Sequence, residues 1–315
     1  MCGILGLIAT PWQHSVHAAL DTIKPRGPDE QQLFIEREVA LGNTRLAVID
    51  PSGGQQPMRS CDGRYVLVHN GEIYNFRELR AELEALGFVF ATRSDTEVLL
   101  HGYVAWGAKL PERLDGMFAF AVWDMRERKL FAARDRVGIK PFFYSSRSGF
   151  AFASTLAAFF ALQGFPRRLD YEALRDYLAF QACLAPHTFL ADVRQLPPAC
   201  RLTWRARDGH FDINRYWEIP QPAMHMPKRE ELVERVDAAL RESVRRQLVA
   251  DVPLGAFLSG GIDSSLMVHY MTEAGAQSLE TFTLAFAEEG FDETPYARVV
   301  AETFGCRHHI IEAPV

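Results

Sequence analysis

Cysteine is scarce in this chain. There are five in 315 residues, at positions 2, 61, 183, 200 and 306. Their number is odd, they are widely spread, and no two stand at the spacing of a zinc site. That argues against a disulfide framework or a structural metal and points to a reducing, cytoplasmic setting. Long apolar runs are missing as well. The stretch Ile4–Ala9 is short and has no positive flank before it, so it reads as neither a signal peptide nor a membrane span. Basic charge is not in excess: 34 Lys and Arg stand against 40 Asp and Glu, for a net charge of −6. With no dense basic cluster, the electrostatic footprint of a nucleic-acid binder is absent. No internal repeat or low-complexity tract interrupts the text. What remains is ordinary globular composition, 48% hydrophobic and 23% charged, in a length that suggests roughly two domains.

The pattern changes once along the chain. Up to about Trp217 it reads as short strands with interspersed helices. The spacing predicts strands at Gly3–Ile8, Leu33–Ile35, Ala47–Ile49, Tyr65–His69, Phe118–Trp123, Leu130–Ala132, Phe142–Tyr144 and Phe150–Ala153. Helices are predicted at Asn75–Leu86, Thr96–Trp106 and Tyr171–Gln181, the second capped by Ser94 or Asp95. Many strands with few helices predict an α+β sandwich over residues 1–217. Three prolines within Glu218–Pro227 predict a linker. Beyond it, from residue 228 to 315, the alternation becomes that of a parallel α/β sheet. It runs helix Lys228–Ala250, strand Leu254–Leu258, helix Ser264–Ala274, strand Glu280–Phe286, helix Glu293–Phe304 and strand His308–Glu312.

Cys2 is the first candidate for chemistry. With Met1 removed, its thiol and its own α-amine would share one residue. A terminal amine titrates near ~8, so it can serve as a general base near neutrality, and a thiolate is an intrinsically strong nucleophile. Further on, Ser259-Gly260-Gly261-Ile262-Asp263-Ser264-Ser265 falls where a strand meets a helix. Glycines there let backbone N–H groups approach an anion, the helix N-terminus adds partial positive charge, and the serines add donors. The Gly-Lys-Ser/Thr ending of a Walker loop is missing. Cys306-Arg307-His308-His309 tempts a metal reading. However, adjacent residues of a strand point to opposite faces, so no convergent ligand set is expected.

These segments fall into an ordered series. It runs MCGI at 1–4, RGPDE at 26–30, NTRLAVID at 43–50, HNGEIYN at 69–75, SDTEVLL at 94–100, DGMFAFAVWD at 115–124, RDRVGIKPFFY at 134–144 and LSGGIDSS at 258–265. The series resembles the class II glutamine amidotransferases, most closely the glutamine-hydrolysing asparagine synthetase family, over essentially the whole chain. The resemblance implies an N-terminal-nucleophile hydrolase fold followed by an ATP pyrophosphatase-type α/β domain. It implies the substrates glutamine, aspartate and ATP, with magnesium, and it allows a homodimer. No nucleic-acid or membrane partner is expected.

Under that resemblance, Cys2 supplies the nucleophile and the base. Asn70 and the Gly71 N–H form an oxyanion hole. Arg45 grips the substrate α-carboxylate as a bidentate partner, with the backbone of Leu46, Ala47, Val48 and Ile49 alongside, and Glu72 and Asp95 take the α-ammonium. Taken singly, these residues read otherwise: Asn70-Gly71 as a hairpin turn, Asp95 as a helix cap, Arg45 as a surface charge. Arg26-Gly27-Pro28-Asp29 resembles the family's mobile loop over the glutamine site. Pro25 stands where the family usually has a basic residue or His, which would stiffen the loop entry.

The ATP set would be Leu258, Ser259, Gly260, Gly261, Asp263, Ser264 and Ser265. Phe257 and Leu284 would flank the adenine, and Asp263 would bridge magnesium. The family's later ATP motif and its basic residue for the adenylate are not found before Val315. The resemblance implies a glutamine-dependent asparagine synthetase that passes ammonia to an adenylated aspartate, giving asparagine, AMP and pyrophosphate. With its synthetase half truncated, this chain is expected to hydrolyse glutamine in its first half without making asparagine. The alternatives are an amidotransferase with another carboxylate acceptor and a catalytically idle binding subunit. A beta-lactam synthetase-like relative is disfavoured, because such proteins lack the working cysteine.

Overall fold

A computed structural model of the chain describes residues 1–221, 227–276, 279–287 and 290–312. It divides into two compact units, Met1–Pro220 and Gln221–Val315. The predicted linker Glu218–Pro227 lies in part outside the described residues.

The strands of the first unit are β1 (Gly3–Ile8), β2 (Glu30–Glu36), β3 (Val39–Arg45), β4 (Met58–Arg59), β5 (Tyr65–Ile73) and β6 (Gly116–Asp124). They continue with β7 (Lys129–Arg134), β8 (Phe143–Ser145), β9 (Phe150–Ala153), β10 (Arg194–Gln195), β11 (Cys200–Arg205) and β12 (Phe211–Arg215). Its helices are α1 (Val16–Ile23), α2 (Phe76–Ala85), α3 (Asp95–Trp106), α4 (Leu110–Arg113), α5 (Leu156–Phe160) and α6 (Tyr171–Phe180). The strands form two six-stranded sheets, ordered β10-β8-β9-β1-β3-β2 and β12-β11-β7-β6-β5-β4. Their described pairings are antiparallel.

Burial explains the sequence of β1. Every residue of Gly3–Ile8 is buried, because both faces are covered. Ile4 and Ile8 join Val66, Val68, Ala121 and Trp123 in the core between the sheets. Leu5 and Leu7 turn the other way, onto Leu20 and Ile23 of α1 and Phe159 of α5. Each large apolar side chain buried in this way stabilises the fold by roughly 1.5–3 kcal/mol. On the far side of the second sheet, α3 packs on β5 and α2 packs on α3. Phe76, Leu79 and Leu83 of α2 and Val98 and Leu99 of α3 are buried. The order is thus helix, sheet, sheet, helix.

One predicted strand is corrected. Residues Ala47–Ile49 are not a strand; the strand is Val39–Arg45, just before them. The reason is local. The Ala47 N–H donates to the Asp29 carboxylate at 2.8 Å, and Arg45 gathers the carbonyls of Ile49, Asp50 and Pro51 at 3.1, 2.7 and 2.8 Å. Those groups are taken from any ladder, and Asp50 adopts a φ of +45° that strands exclude. At α3 the cap is Ser94, whose hydroxyl accepts from the Glu97 N–H at 3.2 Å.

The second unit holds α7 (Arg229–Gln247), β13 (Gly255–Phe257), α8 (Ile262–Glu273), β14 (Glu280–Ala285), α9 (Thr294–Thr303) and β15 (Arg307–Glu312). Its three strands are parallel, in the order β13-β14-β15. Leu258, Val268, Leu279, Ala297 and Ala301 form a small core where α8 and α9 meet the sheet.

Candidate active site

Two strand ends build the site in the first unit. Asn43 Nδ2 lies 3.3 Å from the Gly3 carbonyl and 3.3 Å from the His69 carbonyl. A single nitrogen therefore bridges β1 and β5, and Cys2 and Asn70 are the chain neighbours of those two residues. Cys2 is buried and donates its thiol to the Leu46 carbonyl at 3.7 Å. Arg26 Nε holds the Cys2 carbonyl at 2.9 Å. The segment Arg26–Asp29 is thus docked at the start of β1, and Asp29 is tied to Ala47. Burial, with the nearby Glu72 and Asp95 carboxylates adding to it, pushes the Cys2 thiol up, so it needs a base to react near neutrality. Burial also lowers the terminal amine of Met1, helped by the Lys140 and Arg26 cations. This corner therefore favours an uncharged amine.

Asn70 is fully buried, and neither its Oδ1 nor its Nδ2 has a hydrogen-bond partner among the described residues. A buried amide left unpaired is costly, typically ~1–3 kcal/mol, which makes it a candidate to bond a ligand. Asn70-Gly71 is no hairpin turn, because both residues lie inside β5. Gly71 has a φ of +148°, and a Cβ there would lie 1.9 Å from the Met117 carbonyl oxygen on β6. Only glycine fits.

The outer edge of β5 is open beyond Leu67, where its pairing with β4 ends. Along that edge His69 N–H donates to Gln56 Oε1 at 2.5 Å and Ile73 N–H donates to Asp95 Oδ2 at 3.0 Å. Gly71 comes between them in the same alternation.

Asp95 and Glu72 lie close enough to repel. Burial raises both carboxyls, and the neighbouring Asp95 charge raises Glu72 further; Arg45 and Lys140 oppose the rise at Glu72. A group whose folded pKa is raised contributes stability at low pH that is lost as pH climbs. Ligand-free protein should thus melt at progressively lower temperature as pH rises from the ordinary carboxylate range, near 4.5 for Glu72, through neutrality. Glu72→Gln should flatten that slope, and added glutamate, which brings an α-ammonium, should restore stability to the wild type. Thermal melts across pH check this; equal slopes in both proteins would refute it.

Arg45 is neither a surface charge nor a free fork. It is buried, its Nη1 bonds Glu30 at 3.2 Å and Pro51 O, and its Nη2 bonds Ile49 O and Asp50 O. Its present work is to shape the loop at Leu46–Ile49; gripping a carboxylate as a bidentate partner would require giving up some of these bonds. Lys140, not expected from the sequence as a site residue, is buried, and its pKa is lowered by burial, with the Glu72 and Cys2 charges opposing. Its place is fixed by the Asp135 carboxylate, which accepts from the N–H groups of Ile139 and Lys140 at 2.8 and 2.9 Å.

In the second unit, Ser259–Ser265 joins the end of β13 to the start of α8. Gly260 has a φ of +79°, and a Cβ there would lie 2.5 Å from Tyr296 at the start of α9. Ser259 Oγ and Ser264 Oγ are 3.0 Å apart, and Ser265 Oγ donates to the Gly261 carbonyl at 2.7 Å. Asp263 is exposed in the first turn of α8. Phe257, Leu258, Ser259, Ser264 and Leu284 line an open cleft of about 420 Å³ at the carboxyl ends of the strands, together with Phe282 and Phe286. That is where open α/β sheets bind ligands.

Two histidine clusters carry no metal geometry. His308 Nδ1 pairs with Thr281 at 3.0 Å, while His309 Nε2 lies 3.2 Å from Glu280 and its ring stacks on Phe282, on the other face as the strand alternation predicts. Asp170, Glu172 and His187 do converge, but Arg194 Nη1 already sits 3.1 Å from Asp170 and 2.9 Å from His187.

A buried cysteine leading into a central strand of a helix–sheet–sheet–helix sandwich defines the class: an N-terminal-nucleophile hydrolase fold, followed by a parallel α/β unit. Residues 1–217 match the family described as glutamine amidotransferase domain, and residues 235–314 match asparagine synthase. The chain belongs to the glutamine amidotransferase family, of the asparagine synthetase type.

Among its relatives is asparagine synthetase [glutamine-hydrolyzing] 3 of Bacillus subtilis, 37% identical over 334 residues, covering 98% of this chain and 54% of the relative. A putative asparagine synthetase [glutamine-hydrolyzing] of Mycobacterium tuberculosis is 39% identical, covering 98% and 51%. Amidase chry2 of Gibberella zeae is 31% identical, covering 99% and 51%. The chain spans about half the length of these curated relatives. The solved glutamine phosphoribosylpyrophosphate amidotransferase of B. subtilis matches with a TM-score of 0.50 at 16% identity, covering 99% of this chain and 81% of that one. That likeness is one of fold.

Proposed function

We propose that the first unit hydrolyses glutamine at Cys2. The observation that carries this reading is the buried, unpartnered amide of Asn70 beside the nucleophile strand. The Cys2 amine, freed by loss of Met1, takes the thiol proton as sulfur bonds to the glutamine side-chain carbonyl carbon. Asn70 Nδ2 and the Gly71 N–H hold the oxyanion that forms. The protonated amine then returns its proton to the departing nitrogen and ammonia leaves. Water cleaves the thioester to give glutamate and the free thiol. Glu72 and Asp95 take the α-ammonium, and the Leu46–Ile49 backbone lies alongside the substrate, with Arg45 holding its shape.

In the second unit, the Ser259–Ser265 loop binds the pyrophosphate of ATP and Phe257 and Leu284 flank the adenine. The exposed Asp263 suits magnesium as an oxygen donor, and the ion would neutralise phosphate charge. The reaction of the whole enzyme is then transfer of the ammonia to adenylated aspartate, giving asparagine, AMP and pyrophosphate. A cytoplasmic setting fits the scarce cysteines, and no helix among the described residues is long and apolar enough to cross a membrane.

The test is processing. Intact mass of active protein should show Met1 removed, with glutamine-dependent ammonia release tracking the processed fraction. Undiminished activity with Met1 retained would defeat the mechanism.

A further inference from the structure

We infer that Gln56 is a positioning residue that aims the oxyanion-hole N–H of Gly71 and couples it to the ammonium site; this rests on the glutaminase reading above. Gln56 is buried, and each end of its amide is spoken for. Its Oε1 accepts from His69 N–H at 2.5 Å and from Asn43 Nδ2 at 3.3 Å. Its Nε2 donates to Thr96 Oγ1 at 3.3 Å, and Thr96 Oγ1 donates to Asp95 Oδ1 at 3.4 Å. Donor and acceptor senses agree along the whole chain of bonds.

The path begins at Gly3 O, held by Asn43 next to Cys2, and ends at Asp95, whose other oxygen holds Ile73 N–H. Gln56 and Asp95 thereby pin the edge N–H groups on either side of Gly71. No β-ladder does this work, since β4 stops at Leu67. Without Gln56, the strand that must present Gly71 N–H at a fixed angle has a buried, unpaired amide two residues away.

Two variants separate the ends of this path. Gln56→Met keeps the shape and removes all three bonds. It should lower kcat for glutamine hydrolysis by about tenfold to a hundredfold, less than or equal to deletion of an oxyanion donor. Thr96→Val removes the hydroxyl that accepts from Gln56 Nε2 and donates to Asp95, so it cuts the path between Gln56 and Asp95 and leaves Gln56 Oε1 on His69 N–H. It should raise KM for glutamine several-fold with kcat within about twofold, since it disturbs ground-state binding of the ammonium.

Rates are taken per active site, counted by mass-resolved alkylation of Cys2. A merely structural role would reduce the count and leave kcat and KM of the remainder unchanged, which would overturn the inference. Hydrogen exchange gives a readout independent of turnover. In Gln56→Met, protection should fall across His69–Ile73 and stay constant in β6. Unchanged protection there would also overturn the inference. If wild-type protein releases no ammonia from glutamine, the glutaminase reading fails, and the exchange result alone decides whether Gln56 positions the strand.

Discussion

Cys2→Ala should abolish glutamine hydrolysis while leaving the first unit folded. The sulfur is the only atom lost, and its one hydrogen bond, to Leu46 O at 3.7 Å, is long. The β1 ladder does not depend on it, because pairing with β3 starts at Gly3. The melting transition should thus shift by no more than ~1 kcal/mol in equivalent stability. Activity is another matter. With no thiolate there is no thioester, and the oxyanion hole has no attack to stabilise. The loss should exceed about a hundredfold, or ~2.7 kcal/mol in barrier. Ammonia release within about tenfold of wild type would remove Cys2 from the role of nucleophile.

Gly71→Ala should damage fold and chemistry together. The added Cβ would lie 1.9 Å from Met117 O, 2.9 Å from Met117 C and 2.7 Å from Phe118 Cα. These are backbone atoms of the paired strand, so no side chain can swing away. Relief requires β5 and β6 to separate or Gly71 to leave its φ of +148°, and either moves the N–H offered to the oxyanion. A cost of about 3 kcal/mol or more is expected, with a fall in kcat of at least about a hundredfold in whatever remains folded. Gly87→Ala is the control. It too has a positive φ, +90°, but no atom lies within 4 Å of its would-be Cβ. It should cost only ~1 kcal/mol, the ordinary price of a left-handed alanine. Denaturant melts and turnover per active site distinguish the two; equal effects would show that the crowding at Gly71 is not the cause.

Much of this architecture was legible because period and burial agree. Gly3–Ile8 and Phe150–Ala153 were read from sequence with the bounds that the structure gives. The parallel alternation of the second unit was read to within a few residues. Ala47–Ile49 misled because its residues are β-branched or small, while the deciding contacts, the Asp29 carboxylate and the neighbouring Arg45 fork, are side-chain bonds that strand propensity does not register. β11 escaped although its signal was present: Cys200, Leu202 and Trp204 are buried in alternation with the less buried Arg201, Thr203 and Arg205. For α1 there was little to read, since no side chain caps it and a short 3₁₀ turn leads into it.

At the site, Cys2, Asn70 and Gly71 could be singled out from their motifs. Asn43, Gln56 and Thr96 could not. A polar residue announces nothing about burial, and their roles exist only once three strands and a helix converge.

Ser94 and Asp95 divide two duties that one residue often combines. The serine hydroxyl closes the N-terminus of α3, which releases the adjacent carboxylate from structural service to the helix. On the proposed reading of Asp95 as an ammonium partner, the charge at position 95 can therefore change without unravelling the helix that carries it. A neutral or basic residue there would leave the Ser94 cap intact, but it would also disturb the acceptor that holds Ile73 N–H at 3.0 Å. The separation spares the helix alone: a change at position 95 is felt by the pocket and by the edge of β5, and an engineer who alters the charge must still supply an acceptor for Ile73 N–H.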